Sequence, residues 1–416
     1  MKTISDDNRI NNYMLLFVVF SDMIYAMMSS LFLLIGLSPK ISYYMYYLLF
    51  ATIFVAFAIK SFYRKRSKSI KVLVLILLIL WSVSELYWLV TGQSEIIRQS
   101  KTCILVTCIT CIPVFIFTVN ADDYKQMIDK SNIFVVFTIA YVIIYMIGMK
   151  RGLYKSTDYM SFSYSIMPGC IMSFYNGFIN KRRLSIIFSL ILSLILLVLG
   201  SRGVFVAFAI SAVLQVLFVR KKVNLQNVIF ITAVLIAMIL IVVNYKNIIL
   251  ALYNKFPNSR TLYIFASDVV SGKINLTNRN LYYDYFINNF KNYIICGTGI
   301  LRDRYFIGQD VSHITGNQSW LGCYIHNFFL EIIMQFGAIF GTIILCFFVY
   351  LLIRSALNLK YMDESRRTLY IMFVPSIFVM HMVSGSYLHS MRFYFMLALI
   401  IATFSLKKKE ILICRK

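Results

Sequence analysis

The stretch RLSIIFSLILSLILLVLGSRGVFVAFAISAVLQVLFV, residues 183–219, decides the fold of this chain. It contains two apolar runs, each close to the length that a helix needs to cross the hydrocarbon core of a bilayer. Only the three residues 201–203 separate the two runs. Because a backbone in hydrocarbon must satisfy its own hydrogen bonds, runs of this kind form helices. The stretch therefore predicts a tight hairpin of two transmembrane helices.

The composition extends this prediction to the whole chain. Of its 416 residues 60% are hydrophobic and only 14% are charged, and the mean hydropathy is +0.76. Soluble domains carry about 25% charged residues, so the composition excludes an ordinary soluble enzyme. The apolar excess also excludes a disordered chain. We predict an all-α polytopic membrane protein with about twelve transmembrane helices.

Twelve apolar runs are the candidate membrane spans. They lie at 13–35, 41–59, 72–90, 102–119, 133–149, 163–179, 184–200, 204–219, 228–244, 325–353, 369–383 and 392–406. Residues 245–324 contain no convincing run and predict a large loop between helices 9 and 10. The predicted organisation is helices 1 to 9 in residues 1–244, a partly helical external loop in 245–324, and helices 10 to 12 with a tail in 325–416.

The basic residues orient the chain in the membrane. The connections on one side, together with both termini, carry more than half of the 41 Lys and Arg residues, as in KSFYRKRSKSIK at 60–71. By the positive-inside rule this side faces the cytoplasm, and the loop 245–324 lies outside. The net charge of +24 then orients the protein and contacts anionic lipid headgroups. Membrane lipids are expected partners, and nucleic acid is not.

A few polar residues inside apolar segments are candidates for function. Asp22, Glu85 and His381 lie within predicted spans, where an ionisable side chain is either functional or held by a hydrogen-bonding partner. Both interpretations stay open for all three. Cys296 and Cys323 fall in the external loop, and a disulfide between them also stays open because the sequence gives no distance.

Three features converge on the predicted outer surface. Arg202 lies in the GSRG turn between helices 7 and 8. Segment 278–299 spaces its apolar and aromatic residues helically, which predicts an amphipathic helix on the membrane with Arg279 in its first turn. A cation opposes the macrodipole there, so an external anion would help to explain its placement. His326 and Asn327 stand at the outer entry to helix 10.

The order of these motifs resembles the O-antigen ligase and polymerase superfamily. S-R-G follows an apolar helix, R-x-x-x-Y and G-x-G lie in a long external loop, and H-N-x-x-L opens the next helix. The resemblance covers the outer half of helices 7 to 10. It implies a fold like that of the membrane glycosyltransferases called GT-C. It also implies transfer of a glycan from an undecaprenyl diphosphate carrier, outside the cytoplasm and without a nucleotide or metal cofactor.

The resemblance also assigns roles to residues. Arg202, Arg279 and His326 match the family's motif positions and are the expected catalytic residues. The expected substrate-binding set is Arg202, Arg279, Arg260, Asn327 and Glu331, with Arg260 an alternative to Arg279 as the loop arginine. Guanidinium groups suit bidentate contact with a diphosphate. A neutral histidine near its ordinary pKa is able to take the proton of the acceptor hydroxyl, so activity is expected to fall on acidification.

The resemblance implies a function for the whole chain. We expect polymerisation of undecaprenyl-diphosphate-linked oligosaccharide repeat units into O-antigen or capsule, at the outer face of a bacterial inner membrane. The donor and the acceptor would both be lipid-linked, and a chain-length regulator protein is a further candidate partner. One alternative is a ligase that transfers glycan to lipid A-core. Another is a twelve-helix flippase or transporter, although such proteins usually contain internal repeats, and none is evident here.

Overall fold

The computed structural model describes most of the chain. The described residues are 2–62, 103–153 except 122, 158–199, 201–219, 279–315 except 296, and 323–404 except 389, with isolated positions within 72–101 and 247–270. Every regular element among them is helical, as predicted, and no strand occurs in these parts of the chain.

The main α-helices of the described residues are called α1 to α14 in chain order. They are Lys2–Val19, Ser21–Leu34, Pro39–Phe62, Ile112–Asn120, Lys125–Lys150, Asp158–Phe174, Arg183–Leu199, Arg202–Phe218, Arg279–Asn289, Arg302–Thr315, Phe328–Phe336, Ala338–Asn358, Glu364–Val383 and Met391–Phe404. Short π-helical turns precede α4 and follow α6.

Several of these helices have the length and composition of membrane spans. Among the described residues, Cys103–Asn120, Lys125–Lys150 and Ala338–Tyr361 are long and apolar enough to cross a bilayer, and the bent α1–α2 pair adds a fourth if it forms one span. Large apolar side chains remain exposed on their outer faces, as at Ile343 and Phe347. Water-soluble monomers rarely expose continuous apolar faces. These features support an integral membrane protein.

The helices coincide with the predicted spans wherever both are described. Two predicted spans are not compared: only scattered positions of 72–90 are described, and 228–244 lies outside the described residues. The total of twelve crossings therefore stays a prediction, as does the GT-C likeness. α7 ends at Leu199 and α8 begins at Arg202, as the predicted hairpin of two helices requires.

Two predicted spans are each divided into two helices. The span 13–35 bends by 54° at Phe20, between α1 and α2. The span 325–353 breaks at Gly337, which has φ 84° and ψ 161° and separates α11 from α12. This backbone conformation is accessible almost only to glycine. Continuous apolar composition predicted unbroken helices because it does not register a single residue whose backbone conformation ends one.

The core places α13 and α14 at its centre. α13 packs along α8 and against α14, and α14 packs along α4. A second cluster joins α9 to α10 and to the start of α11 through buried residues that include Tyr282, Phe286 and Ile325. The predicted amphipathic helix is thus present as α9, but part of its apolar side packs on the protein. Its contact with the membrane stays a prediction.

Glycines allow the segment around residues 297–299 to approach the break between α11 and α12. Thr298 and Gly299 donate backbone hydrogen bonds to the carbonyls of Met334 and Gln335, at 2.8 and 2.9 Å. A Cβ atom on Gly297 would lie 2.3 Å from the Gln335 backbone. One on Gly337 would lie 2.6 Å from the Ile295 carbonyl oxygen. The G-x-G segment therefore clamps the end of α11.

We expect Gly337→Ala to destabilise the protein far more than Gly152→Ala. Both glycines have positive φ, but a Cβ at Gly152 meets nothing within 4 Å. Backbone strain costs about 1–3 kcal/mol at each position, and steric overlap adds about 1–3 kcal/mol at Gly337 alone. Thermal unfolding of the detergent-purified variants measures the difference. Equal midpoints for the two variants would show that the loop does not clamp α11.

Candidate functional site

The site begins where α11 begins. Asn327 is the N-cap of this helix, and its side-chain oxygen accepts hydrogen bonds from the backbone N–H groups of Phe329 and Leu330, at 3.0 and 3.2 Å. Its amide nitrogen donates to the Met382 carbonyl at 3.2 Å. Asparagine is among the best capping residues because its short side chain reaches these donors. The H-N pair is thus a helix cap that also joins α11 to the end of α13.

The cap holds His326 in an unusual conformation. Its φ of 57° lies in the left-handed region, which few residues other than glycine adopt. The ring is partly buried, with ring centroids 4.0 Å from Tyr324 and 5.4 Å from Tyr282. Its Nδ1 atom is buried and has no hydrogen-bond partner among the described residues. One imidazole nitrogen is therefore left without a hydrogen bond.

The environment keeps His326 neutral. Burial, reinforced by the guanidinium groups of Arg279 and Arg304, lowers its pKa to about 3, although a hydrogen bond to the Ser384 backbone acts in the opposite direction. This differs from the expectation of an ordinary pKa. In the free protein the imidazole does not titrate near neutral pH. Acidification from pH 7 to pH 5 is therefore not expected to remove activity through His326.

A buried ion pair lies next to His326. The Arg304 guanidinium donates to Glu331 at 3.2 Å, and the two side chains are 1% and 0% exposed. Arg304 also donates to the Ser386 hydroxyl at 2.5 Å, and that hydroxyl donates to Glu331 at 2.7 Å. The guanidinium carbon stands 4.8 Å from the centre of the Tyr324 ring. The ion pair therefore joins α10, α11 and the turn after α13.

A second carboxylate shares this network. The Gln335 amide donates to Asp303 at 3.0 Å and to Glu331 at 3.5 Å, and it accepts a short hydrogen bond from the Tyr387 hydroxyl. One carboxylate oxygen of Asp303 and one of Glu331 are buried without a partner among the described residues. Two carboxylates thus share the positive charge of Arg304.

The Asp303 and Glu331 carboxyl groups have raised pKa values. Burial, aided by the nearby Glu331, raises the pKa of Asp303 to about 7, and Arg304 opposes the shift. Burial also raises the pKa of Glu331 above its ordinary value. Because one cation cannot neutralise two buried anions, one carboxyl group tends to keep a proton. The network therefore has the capacity to hold a proton near neutral pH.

The beginning of α8 adjoins the same turn. The Ser201 backbone N–H donates to the Ser163 hydroxyl at 2.7 Å, and a Cβ atom on Gly203 would lie 2.9 Å from the Val383 side chain. The next residue, Ser384, accepts the Tyr324 hydroxyl at 2.6 Å through its carbonyl. The backbone of Arg202 is therefore near this site. Its side chain is not described.

The predicted residues fall into three groups. His326 and Arg279 are close enough to interact electrostatically. Asn327 and Glu331 belong to the cap and the ion pair, so any effect of theirs on a substrate would act through neighbouring side chains. Arg260 lies outside the described residues, and its competition with Arg279 stays open.

The polar residues inside predicted spans have structural partners. Asp22 forms an ion pair with Arg392. His381 contacts the Ile377 carbonyl through Nδ1 at 2.8 Å and the Ser390 hydroxyl through Nε2 at 3.0 Å, which is the held-histidine interpretation. Glu85 is outside the described residues. Cys323 is buried, and Cys296 lies outside the described residues, so a disulfide between them stays open.

The sequence did not predict the partners of Glu331. Arg304 and Asp303 lie in the predicted loop 245–324 outside its motifs, and Ser386 and Tyr387 belong to a short turn without a motif. One signal was present. Glu331 and Gln335 are four residues apart in the otherwise apolar FFLEIIMQF, so they share one helix face and need polar partners.

Comparison with known proteins agrees with the motifs. Residues 187–346 match the family model described as O-antigen ligase. The match supports membership of the chain in the O-antigen ligase and polymerase superfamily, and it confirms the resemblance over that region. It therefore supports an O-antigen ligase-like or polymerase-like function, which is glycosyl transfer at a membrane. No curated protein and no solved structure gives a significant match.

We expect Asp303 to contribute stability that is lost as the pH rises from about 4 to about 7, opposed by His326, whose lowered pKa favours the folded state as the pH rises from about 3 to about 6.5. The folded state raises the pKa of Asp303 from 3.8 to about 7, so it favours the protonated form. This contribution is complete below the unfolded pKa and is lost as the pH passes the folded pKa. Asp303→Asn should remove this contribution, so the thermal midpoint of the variant should rise more steeply with pH between about 4 and about 7 than that of the unchanged protein. Asp310→Asn, an exposed position on the same helix, is the control. An unchanged pH dependence in Asp303→Asn would show that Asp303 does not hold the proton.

Proposed function

We propose that this protein polymerises undecaprenyl-diphosphate-linked oligosaccharide repeat units on the outer face of the bacterial inner membrane, with both termini in the cytoplasm. The observation that carries the proposal is the partly buried His326, whose Nδ1 atom lacks a partner among the described residues and whose neighbour is Arg279. The site would hold an anionic leaving group and a neutral base side by side. Glycosyl transfer from a lipid diphosphate requires both.

The arginines would bind the donor diphosphate. Arg279 interacts with His326, and the backbone of Arg202 reaches the same turn from α8. Guanidinium groups stay charged at all physiological pH values and contact two phosphate oxygens at once. They would stabilise the charge that develops as the bond between the anomeric carbon and the diphosphate breaks.

His326 would accept the proton of the acceptor hydroxyl. That hydroxyl attacks the anomeric carbon of the donor, the new glycosidic bond forms, and undecaprenyl diphosphate leaves with the bonding electrons. In the free protein the charge of Arg279 adds to burial in lowering the proton affinity of the imidazole. A bound diphosphate offsets that charge, so the base would gain proton affinity when the donor is present. This order would limit side reactions.

The Arg304–Glu331 ion pair would position these groups. It ties α10 to α11 and to the turn at Ser384, whose carbonyl contacts Tyr324 and His326. Removing one partner of a buried ion pair costs about 3–5 kcal/mol, so its loss would misplace the base and lower the stability as well. The proposal assigns no substrate contact to either residue.

A ligase is the second candidate, because the matching family model carries that description. A ligase would use the same donor and the same arginines but a lipid A-core acceptor. The two functions differ in the acceptor alone.

His326→Ala and His326→Gln should both stop chain extension. A general base contributes about a hundredfold to ten-thousandfold, so a ladder of products should become single repeat units. Glutamine preserves a hydrogen-bonding side chain but cannot act as a base. The measurement is the product ladder made by purified protein in lipid nanodiscs, with the thermal midpoint as the folding control. A full ladder from a folded His326→Gln variant would rule out His326 as the base.

The acceptor identifies the reaction. Purified protein should extend a lipid-linked repeat unit into a ladder and should leave lipid A-core unmodified. Arg279→Lys should abolish the ladder because lysine lacks the planar fork, whereas Arg151→Lys, at an exposed position, should not. Transfer to lipid A-core with no ladder would establish the ligase. No transfer to either acceptor by the folded protein would contradict glycosyl transfer altogether.

A further inference from the structure

Two adjoining cavities lie on the other side of the Ser384 turn from His326. They measure about 320 and 540 Å³, and both are lined by Asp22, Tyr25, Ser161 and Arg392. Cavities of this size take small-molecule ligands or parts of larger ones. The function argued above assigns no role to this space.

An ion pair forms one wall of the cavities. The Arg392 guanidinium contacts the Asp22 carboxylate directly and donates to the Tyr164 carbonyl at 2.7 Å. The Asp22 side chain is still 42% exposed and the Arg392 side chain 14%. Part of the carboxylate therefore stays accessible to a ligand in the cavity.

The chemistry of the walls favours a neutral polyhydroxy ligand. The charge of Arg392 is offset by Asp22, and a diphosphate would be repelled by that carboxylate. The remaining polar groups of the larger cavity are mainly hydroxyls, from residues at least partly exposed such as Tyr25, Tyr47 and Ser161. A charged pair with surrounding hydroxyls and aromatic rings suits sugar hydroxyls, which both donate and accept hydrogen bonds.

The position of the cavities relates them to the proposed glycosyl transfer. Ser384 and Gly385 line the smaller cavity, and the Ser384 carbonyl accepts the Tyr324 hydroxyl beside His326. None of the residues that line either cavity falls within 187–346, the segment that matches the family model. The shared segment carries the groups for transfer, and the cavities are built by the rest of this chain.

We propose that the cavity at the Asp22–Arg392 pair is a carbohydrate subsite that binds sugar residues of the lipid-linked repeat unit while the diphosphate lies at Arg279. The proposal rests on the proposed glycosyl transfer and names where its substrate's sugars bind. Asp22 accepts hydrogen bonds from sugar hydroxyls, and Arg392 donates to them.

Binding of two lipids tests this assignment. One probe is the undecaprenyl-diphosphate repeat unit purified from cells that lack this protein, and the other is undecaprenyl diphosphate without sugar. In nanodiscs, Arg392→Lys and Asp22→Asn should each weaken binding of the glycan-bearing lipid by about tenfold or more, as expected for lost charged hydrogen bonds. Binding of undecaprenyl diphosphate should change less than twofold. Arg354→Lys, at an exposed position, should change neither.

A charge-reversed pair separates sugar binding from a structural role. The double variant Asp22→Arg with Arg392→Asp should recover the thermal midpoint that the single variants lose, but not the binding of the glycan-bearing lipid. Recovery of that binding, equal losses for both lipids, or no loss for either would overturn the subsite. Because no turnover is measured, a wild-type protein that shows this lipid selectivity but forms no polymer would contradict the proposed polymerase alone.

Discussion

The buried ion pair between Arg304 and Glu331 holds α10, α11 and the turn between α13 and α14 together. Ser386, in that turn, is a hydrogen-bonding partner of both side chains. Removal of either member of a buried pair leaves an uncompensated charge. The placement of His326 depends on this pair because the same turn, at Ser384, contacts the histidine and Tyr324.

The break at Gly337 between α11 and α12 explains how an apolar segment carries a polar site. Gly337 ends α11, and the backbone of residues 297–299 hydrogen-bonds to its last carbonyls. α11 is thereby separated from the apolar helix α12 and is free to turn Glu331 and Gln335 toward Arg304 and Asp303. An unbroken helix would continue the direction of its membrane-spanning part and leave these side chains without partners.

The electrostatics of the site link donor binding to base strength. Burial is the main cause of the lowered pKa of His326, and the positive charges of Arg279 and Arg304 add to it. In the proposed reaction the diphosphate offsets the charge of Arg279 when it binds, so this arginine serves both recognition and timing. The pKa values of the Asp303 and Glu331 carboxyl groups shift in the opposite direction, upward, as a result of burial. Because one cation lies between two buried anions, one carboxyl group tends to retain a proton.

The sequence by itself determined the helical membrane class, the position of most helices and the resemblance of residues 187–346 to the O-antigen ligase family. Apolar runs and short motifs carry that information locally, as in GSRG and His326-Asn327. Only the tertiary structure decided which polar residues meet. Arg304 is 27 residues from Glu331 and 82 from Ser386, and Asp22 is 370 from Arg392. Such pairs leave no periodic or motif signal, because burial and helix packing, rather than sequence spacing, bring their charges together.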